Sequence, residues 1–466
     1  MEEEGINPLA KGLNRTISEI SPSIFSCLSE LGKRMYFPSG ILAQSADAKQ
    51  RASKFNATIG IALENNVAMH LGVTEKYFNN LHPNNIYPYA PPEGLAQLRA
   101  AWKEKLIRNN PSLANKAFSL PMVTQALTNG LSLTADLIAN PGDVVVLPDK
   151  YWGVYNLNFS TRKGCEIATY ETFDEQGQFN TKAFRNAIQA AAATRDKLIL
   201  VLNFPNNPTG YTPSVEKSAE IFKIVADQAE KGTKIITIAD DSYFGLFYED
   251  CNEESLFSKF CDLHENILAI KVDGATKECF AWGFRTGFLT CGTKTHNPQT
   301  LYSALEKKIK GLIRSTISSS NHPSQTILLK ALEHPDFEDD IKIKFEILKK
   351  RALHLKKILN QEKFKDEWTY YPFNSGYFMC LKLERVDAEK LRRHLLDKYE
   401  VGTIALGPTD LRIAFSCVEE EDLEEFTLIE EAGNVLPAWQ LFFESKDKDL
   451  INVLNEGNDL QVDYGG

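Results

Sequence analysis

The chain has 466 residues, 43% apolar, 10% aromatic and 24% charged, with 62 acidic against 52 basic side chains and a formal net charge of −10. That is ordinary globular composition, which sets aside intrinsic disorder, collagen-like repeats and a small disulfide scaffold, and the length suggests two or three folding units. The acidic balance argues against a nucleic-acid footprint or a general attraction to anionic membranes.

The opening stretch MEEEGINPLAKGLNRT has no apolar core and no small-residue cleavage site. It is expected to be neither a signal nor a transit peptide. No apolar run approaches the roughly 18 residues that span a bilayer. Short β-rich runs then appear at Asp143–Leu147, Lys197–Asn203, Lys234–Ala239 and Ile267–Val272, separated by helical stretches such as Ser214–Lys231. Their nearly continuous apolar character is that of strands covered on both faces of a parallel sheet, so this region reads as a large α/β domain. Beyond about residue 320 the texture changes. Pro335 opens an amphipathic helix over Asp336–Glu362, followed by a strand at Gly376–Leu383, a helix from Asp387 to about Tyr399, a strand at Leu411–Phe415 and a helix begun by Glu419–Asp422. This predicts a smaller α+β domain of residues 320–466, completed by 1–64, beside a large domain at 65–319, with a polar, frayed end at Ser445–Gly466. The eight cysteines form no CxxC pair and no zinc-spaced cluster with histidine, so they read as buried thiols of a reduced cytosol.

Ligands of open α/β sheets gather at the carboxyl ends of strands. The run ending at Asn203 empties into Phe204-Pro205-Asn206-Asn207-Pro208-Thr209-Gly210, and the next into Asp240-Asp241-Ser242-Tyr243. The third empties into Asp273-Gly274-Ala275-Thr276-Lys277, and Gly283-Phe284-Arg285-Thr286-Gly287 follows. Alone, Asn-Pro-Thr-Gly is a turn, a lysine after a strand is solvated, and an arginine between glycines lies on the surface. In this order at successive strand ends, an amide, an acid with a phenol, an amine and a guanidinium converge.

The pattern Asn-Pro-x-Gly, Asp-x-x-Tyr, Lys and Gly-x-Arg-x-Gly, with the arginine eight residues after the lysine, resembles the signature of class I/II aminotransferases, fold type I enzymes dependent on pyridoxal phosphate (PLP). The resemblance runs from about Tyr89 to Arg412 and implies a mainly parallel seven-stranded sheet with a smaller α+β domain. It implies that Lys277 carries PLP as a Schiff base and moves the α-proton, a task suited to an amine whose pKa is lowered by burial and nearby cations. Asp240 would pair with the pyridine nitrogen, Asn207 and Tyr243 would hydrogen-bond the ring oxygen, and Arg285 would clamp the phosphate. Val123–Gly130 resembles the phosphate cradle, with Leu127, Thr128 and Asn129 at the matching positions, although relatives often have glycine where Ala126 and Leu127 stand. Gly274 stands where many relatives place a phosphate-binding serine, leaving a backbone donor unless Thr276 substitutes. Trp152, ten residues after Gly142, matches the aromatic ring that stacks on the cofactor; the alternative is a core tryptophan.

Tyr89, in Tyr-Ala-Pro-Pro-Glu-Gly-Leu, matches the tyrosine that in relatives reaches the phosphate of a neighbouring subunit, which implies a homodimer; the alternative is a proline-rich turn with an exposed ring. Arg412 matches the arginine that grips a substrate α-carboxylate, against the alternative of an edge-strand surface residue. Dicarboxylate-specific relatives carry a second arginine where this chain has Thr316. Arg314 is two residues early, a rotation of about 200° on a helix. Pro38–Leu42, with Gly40, is either an entrance segment over the substrate or a plain loop. The leading reading is thus a cytoplasmic aminotransferase moving an amino group from an L-amino acid to a 2-oxo acid by a ping-pong route, with no metal, nucleic-acid or membrane partner. A PLP lyase or decarboxylase is the alternative enzyme. A PLP- or amino-acid-binding regulatory module fits less well, because the roughly 80 residues before Tyr89 are too few and not basic enough for a DNA-binding domain.

Overall fold

The computed structural model describes residues 6–38, 40–79, 81–361, 369–383 and 387–427. The polar end expected at Ser445–Gly466 lies outside them. Seven strands form the large sheet: β1 (Met122–Gln125), β2 (Val144–Pro148), β3 (Glu166–Tyr170), β4 (Lys197–Asn203), β5 (Lys234–Asp240), β6 (Ile267–Gly274) and β7 (Thr286–Gly292). Their spatial order is β1-β7-β6-β5-β4-β2-β3. Only β7 opposes its neighbours, pairing antiparallel with both β1 and β6. The sheet is therefore the mainly parallel, seven-stranded one expected of fold type I.

Burial on both faces explains the continuous apolar runs. Along β4, Leu198, Leu200 and Leu202 enter one apolar cluster, while Ile199 and Val201 enter another on the opposite face. Helices α1 (Ala126–Ile138) and α4 (Pro298–Thr316) contribute Leu127, Leu131, Ile309 and Ile313 to the second cluster. Helices α2 (Thr181–Ala192) and α3 (Val215–Glu230) contribute Ile188, Ile221 and Val225 to the first. Side-chain oxygens start several helices. Asn180 accepts from Ala183 N–H at 2.9 Å and Ser214 from Lys217 N–H at 3.2 Å, satisfying donors that a helix start leaves without partners.

The first cluster continues into the C-terminal unit. There α5 (Phe337–Leu359) and α6 (Ala388–Tyr399) accompany a four-stranded antiparallel sheet of β8 (Thr369–Tyr370), β9 (Phe378–Lys382), β10 (Ile404–Leu406) and β11 (Asp410–Ala414), in the order β8-β9-β11-β10. The N-terminal segment joins this unit: Phe55 and Asn56 pair parallel with Val401 and Gly402, and Ala414 N–H donates to the Ala57 carbonyl at 2.9 Å. Helix His322–Leu332, just past the boundary drawn at 319, packs instead on Ala96–Asn109 of the large unit. None of the described helices is long and apolar enough to cross a membrane.

Candidate active site

Three parallel strands end side by side. Asn203 pairs with Asp240 and Asp240 with Val272, so the turns after β4, β5 and β6 open onto one crevice. Asn203 stitches two of them together. Its Nδ2 donates to the Asp240 carbonyl at 2.9 Å and its Oδ1 accepts from Asn207 N–H at 2.8 Å.

Lys277 lies in the short helical turn Ala275–Glu278 that leaves β6, its Nζ 4.8 Å from the centre of the Tyr243 ring. Burial pulls its pKa down to about 8; Asp240 opposes that shift and Arg285 adds to it. A lysine that loses its proton near neutrality is a usable nucleophile and base. Asp240 is fully buried, which pushes its pKa up, against the opposing effects of hydrogen bonds from Ser242 and Tyr155 and the charge of Lys277. Its Oδ2 accepts from the Tyr155 hydroxyl at 2.6 Å, and its Oδ1 accepts from the Ser242 N–H at 3.2 Å and from the Ser242 hydroxyl. Neighbouring Asp241 faces other groups, accepting from the Ser255 hydroxyl at 2.6 Å and pairing with buried Lys271. Half-buried Trp152 stands edge-on to Tyr155, ring centres 5.9 Å apart.

The first turn of α1 supplies Leu127, Thr128 and Asn129, and at such a helix start the N–H groups of Leu127 and Thr128 have no carbonyl one turn back within the helix and suit an anion. The Asn129 side chain is already used, its Oδ1 accepting from Gln125 N–H at 3.0 Å. Strand β7 crosses this turn closely: a Cβ on Gly287 would lie 2.7 Å from the Ala126 carbonyl carbon. A Cβ on Gly274 would likewise lie 2.6 Å from Gly287 Cα and 2.7 Å from the Thr286 oxygen. No serine fits there, which accounts for the departure from many relatives. Thr276 Oγ1 is buried without a partner among the described residues. Arg285 is exposed at the rim, left-handed at φ 53°, with Nη1 donating to the Trp282 carbonyl at 3.1 Å. An unpaired hydroxyl, an open helix start, an arginine and a neutralisable lysine suit PLP.

On the opposite wall Arg412 sits on β11, between β9 and β10 rather than at a sheet edge, and is only 3% exposed. Its Nη1 donates to Asn207 Oδ1 at 3.0 Å and its Nη2 to the Thr58 carbonyl at 2.9 Å, and the guanidinium carbon lies 4.3 Å from the centre of the Phe378 ring. Its Nε has no partner among the described residues, and none of their carboxylates pairs with it. A buried cation without an anion is costly, so the arrangement calls for an anionic ligand. Gly60 closes the crevice; a Cβ there would lie 3.4 Å from both Phe378 Cζ and the Tyr243 hydroxyl oxygen.

The structure thus gathers Lys277, Asp240, Tyr243, Asn207 and Arg412, with Trp152 and the α1 start beside them. Three other candidates stand apart. Tyr89 is 91% exposed. Arg314 is exposed near the end of α4 and bonds Ser318. Gly40 is the exposed N-cap of helix Ile41–Arg51, with open space around it. Gly60, twenty residues later, is the glycine of the N-terminal segment that lies beside Phe378 and Tyr243. Tyr155, Ser242, Thr58 and Gly60 are the residues that the sequence reading did not find.

A sequence profile of the family described as aminotransferase class I and II matches residues 73–427. The chain belongs to the class I and II aminotransferase family. It is therefore a PLP-dependent aminotransferase of fold type I. The aminotransferase is 28% identical over 352 residues to a probable aspartate/prephenate aminotransferase of Aquifex aeolicus, covering 74% of this chain and 83% of that one. It is 30% identical over 210 residues to the aspartate/prephenate aminotransferase of Thermus thermophilus, covering 44% and 49%. Among solved structures, an aminotransferase from Anaerococcus prevotii superposes with TM-score 0.76 at 23% identity, covering 85% of this chain and 96% of that one.

Proposed function

We propose that the crevice binds an L-amino acid between Arg412 and Lys277, the guanidinium taking the α-carboxylate and the amine serving the α-carbon. The observation that carries this reading is the buried charge of Arg412, which has no anion among the described residues and shares Asn207 with the cofactor side of the site. Bound PLP supplies an electron sink for the bond broken at the α-carbon. Asp240 would pair with the ring nitrogen, Asn207 and Tyr243 would hydrogen-bond the ring oxygen, and Trp152 would cover the ring. Arg285, Thr276 and the α1 start at Leu127, Thr128 and Asn129 would hold the phosphate. Lys277, neutral above about pH 8, accepts the α-proton and returns it to the cofactor side. A carboxylate held by Arg412 would be kept from leaving, with the α-proton facing Lys277, which favours transamination over decarboxylation.

Tyr89, at 91% exposure, is assigned to the phosphate of a second copy, so the working unit is a homodimer. The eight cysteines are all unpaired, which supports a cytoplasmic setting. The test is a stoichiometric half-reaction without an oxo-acid acceptor, across a panel of amino acids that begins with aspartate. Conversion of bound PLP to pyridoxamine phosphate with release of an equal amount of the matching oxo acid is expected. Ammonia, thiol or carbon dioxide in its place would overturn the reading.

A further inference from the structure

Asp240 has no contact with solvent, and its two carboxylate oxygens are served unequally. Oδ1 accepts from both the N–H and the hydroxyl of Ser242, whereas Oδ2 accepts only from the Tyr155 hydroxyl, at 2.6 Å. An ionised carboxylate offers about four lone-pair sites, so these three donors fill Oδ1 and leave a single site on Oδ2. We infer that Tyr155 is a positioning residue for the cofactor: with Ser242 it leaves Oδ2 as the one oxygen of Asp240 able to accept the ring N–H of PLP, and it holds the carboxylate ionised for that contact.

The inference rests on the proposed PLP site, and the surroundings of Tyr155 support it. The ring is buried, edge-on to Trp152 at 5.9 Å and stacked on Tyr151 at 6.5 Å, so the hydroxyl is aimed by packing. Burial and the adjacent Asp240 charge push the phenol pKa well up, so Tyr155 only donates in this bond. Burial alone would drive Asp240 towards its neutral form. A neutral Asp240 would leave the ring nitrogen free to lose its proton, and with it much of the ring's capacity to draw in electrons. Donors to the charged form oppose this, and each such bond is worth more than a neutral one. Trp152 and Tyr155 are thus coupled: one ring is placed on the cofactor face, and the next aromatic along the same turn sets the charge beneath its nitrogen.

The test is Tyr155→Phe in the full chain, which keeps the ring and removes only the hydroxyl. It is read by the nitrogen-15 resonance of the ring nitrogen in labelled PLP and by the dissociation constant for PLP. In the wild-type holoenzyme the resonance should stay at its protonated position into the alkaline range. In Tyr155→Phe it should move towards the unprotonated position at lower pH, with PLP binding weakened about tenfold, as expected for one hydrogen bond to a charged group. Ser242→Ala should move the resonance the same way by less, because the backbone N–H remains, and it serves if the phenylalanine variant fails to fold. A Tyr155→Phe protein whose resonance and affinity match the wild type overturns the inference while leaving the function intact. A wild-type protein that binds no PLP overturns both.

Discussion

The two walls of the crevice are assembled in opposite ways. The cofactor wall comes from turns at the strand ends of one sheet, from the α1 start after β1 to Arg285 before β7, with its centre aligned by the register of β4, β5 and β6. The carboxylate wall joins pieces far apart in the chain: Arg412 reaches Thr58 across 354 positions and Asn207 across 205. The first wall forms when one sheet forms. The second exists only while the C-terminal unit is seated on the Asn-Pro-Thr-Gly turn, where Gly210 comes so close that a Cβ would lie 2.0 Å from the Phe378 carbonyl oxygen.

The largest expected effect falls on the cofactor wall alone. Lys277→Ala should abolish turnover and the covalent attachment of PLP, measured by the loss of the visible band and by mass after borohydride reduction, with the thermal transition retained. Turnover in that variant would remove Lys277 from its role. Gly210→Ala tests the joint between the walls. Its φ of +75° disfavours a side chain, and its Cβ has no room, so a loss of roughly 2–4 kcal/mol in unfolding free energy is expected by denaturant titration. Arg412→Ala acts on the carboxylate wall alone. It should raise the KM for amino acids by about 10²-fold, the scale of losing a buried charged contact, while the affinity for PLP stays unchanged. A parallel loss of PLP affinity would show that the walls are not separable.

A smaller effect lies in pH. The folded pKa of Lys277 is depressed to about 8 by burial, with Arg285 lowering it further and Asp240 resisting. The amine is therefore mostly protonated below that pH and mostly neutral above it. Capture of PLP by the apoprotein should quicken about tenfold per pH unit below the midpoint and level off above it. Arg285→Ala removes a nearby positive charge, so it should move the midpoint upward in a stopped-flow pH series. A midpoint near the ordinary lysine value would contradict the burial that sets it.

The same contrast explains what could be read from the chain. Asn207, Asp240, Tyr243 and Lys277 stand at fixed offsets from strands whose apolar runs are visible, so register brings them together without further information. Arg412 was found through a strand of the same kind, but its burial depends on β9 and β10 lying on either side. Tyr155 and Ser242 carry no spacing signal of their own, because their role follows from where their hydroxyls point once β2 and β5 are packed. Strands β1, β3 and β7 escaped the reading for a different reason. Glu166–Tyr170 is an edge strand with mixed burial, and Met122–Gln125 is only four residues long. Thr286–Gly292 begins directly at the Gly-x-Arg-x-Gly motif, which reads as a loop.

The entrance segment gives the smallest effect and the sharpest test of the contrast. Gly40, in a segment that reads equally as an entrance piece or a plain loop, caps an exposed helix, and no atom lies within 4 Å of a Cβ built on it. Gly60 lies twenty residues later, after the chain has paired Phe55 and Asn56 with Val401 and Gly402 and passed Thr58, whose carbonyl holds Arg412. At Gly60 a methyl group would stand 3.4 Å from Phe378 Cζ and the Tyr243 hydroxyl oxygen, at the edge of ordinary contact. Gly60→Ala should therefore fold with a stability change within about 0.5 kcal/mol, yet narrow the space above Tyr243 and raise the amino-acid KM a few-fold. Gly40→Ala should leave KM where it was, since its side chain would meet only solvent. Steady-state kinetics on the two variants decide the matter: a larger KM change in Gly40→Ala than in Gly60→Ala would place the Pro38–Leu42 segment over the substrate and make the carboxylate wall a moving part.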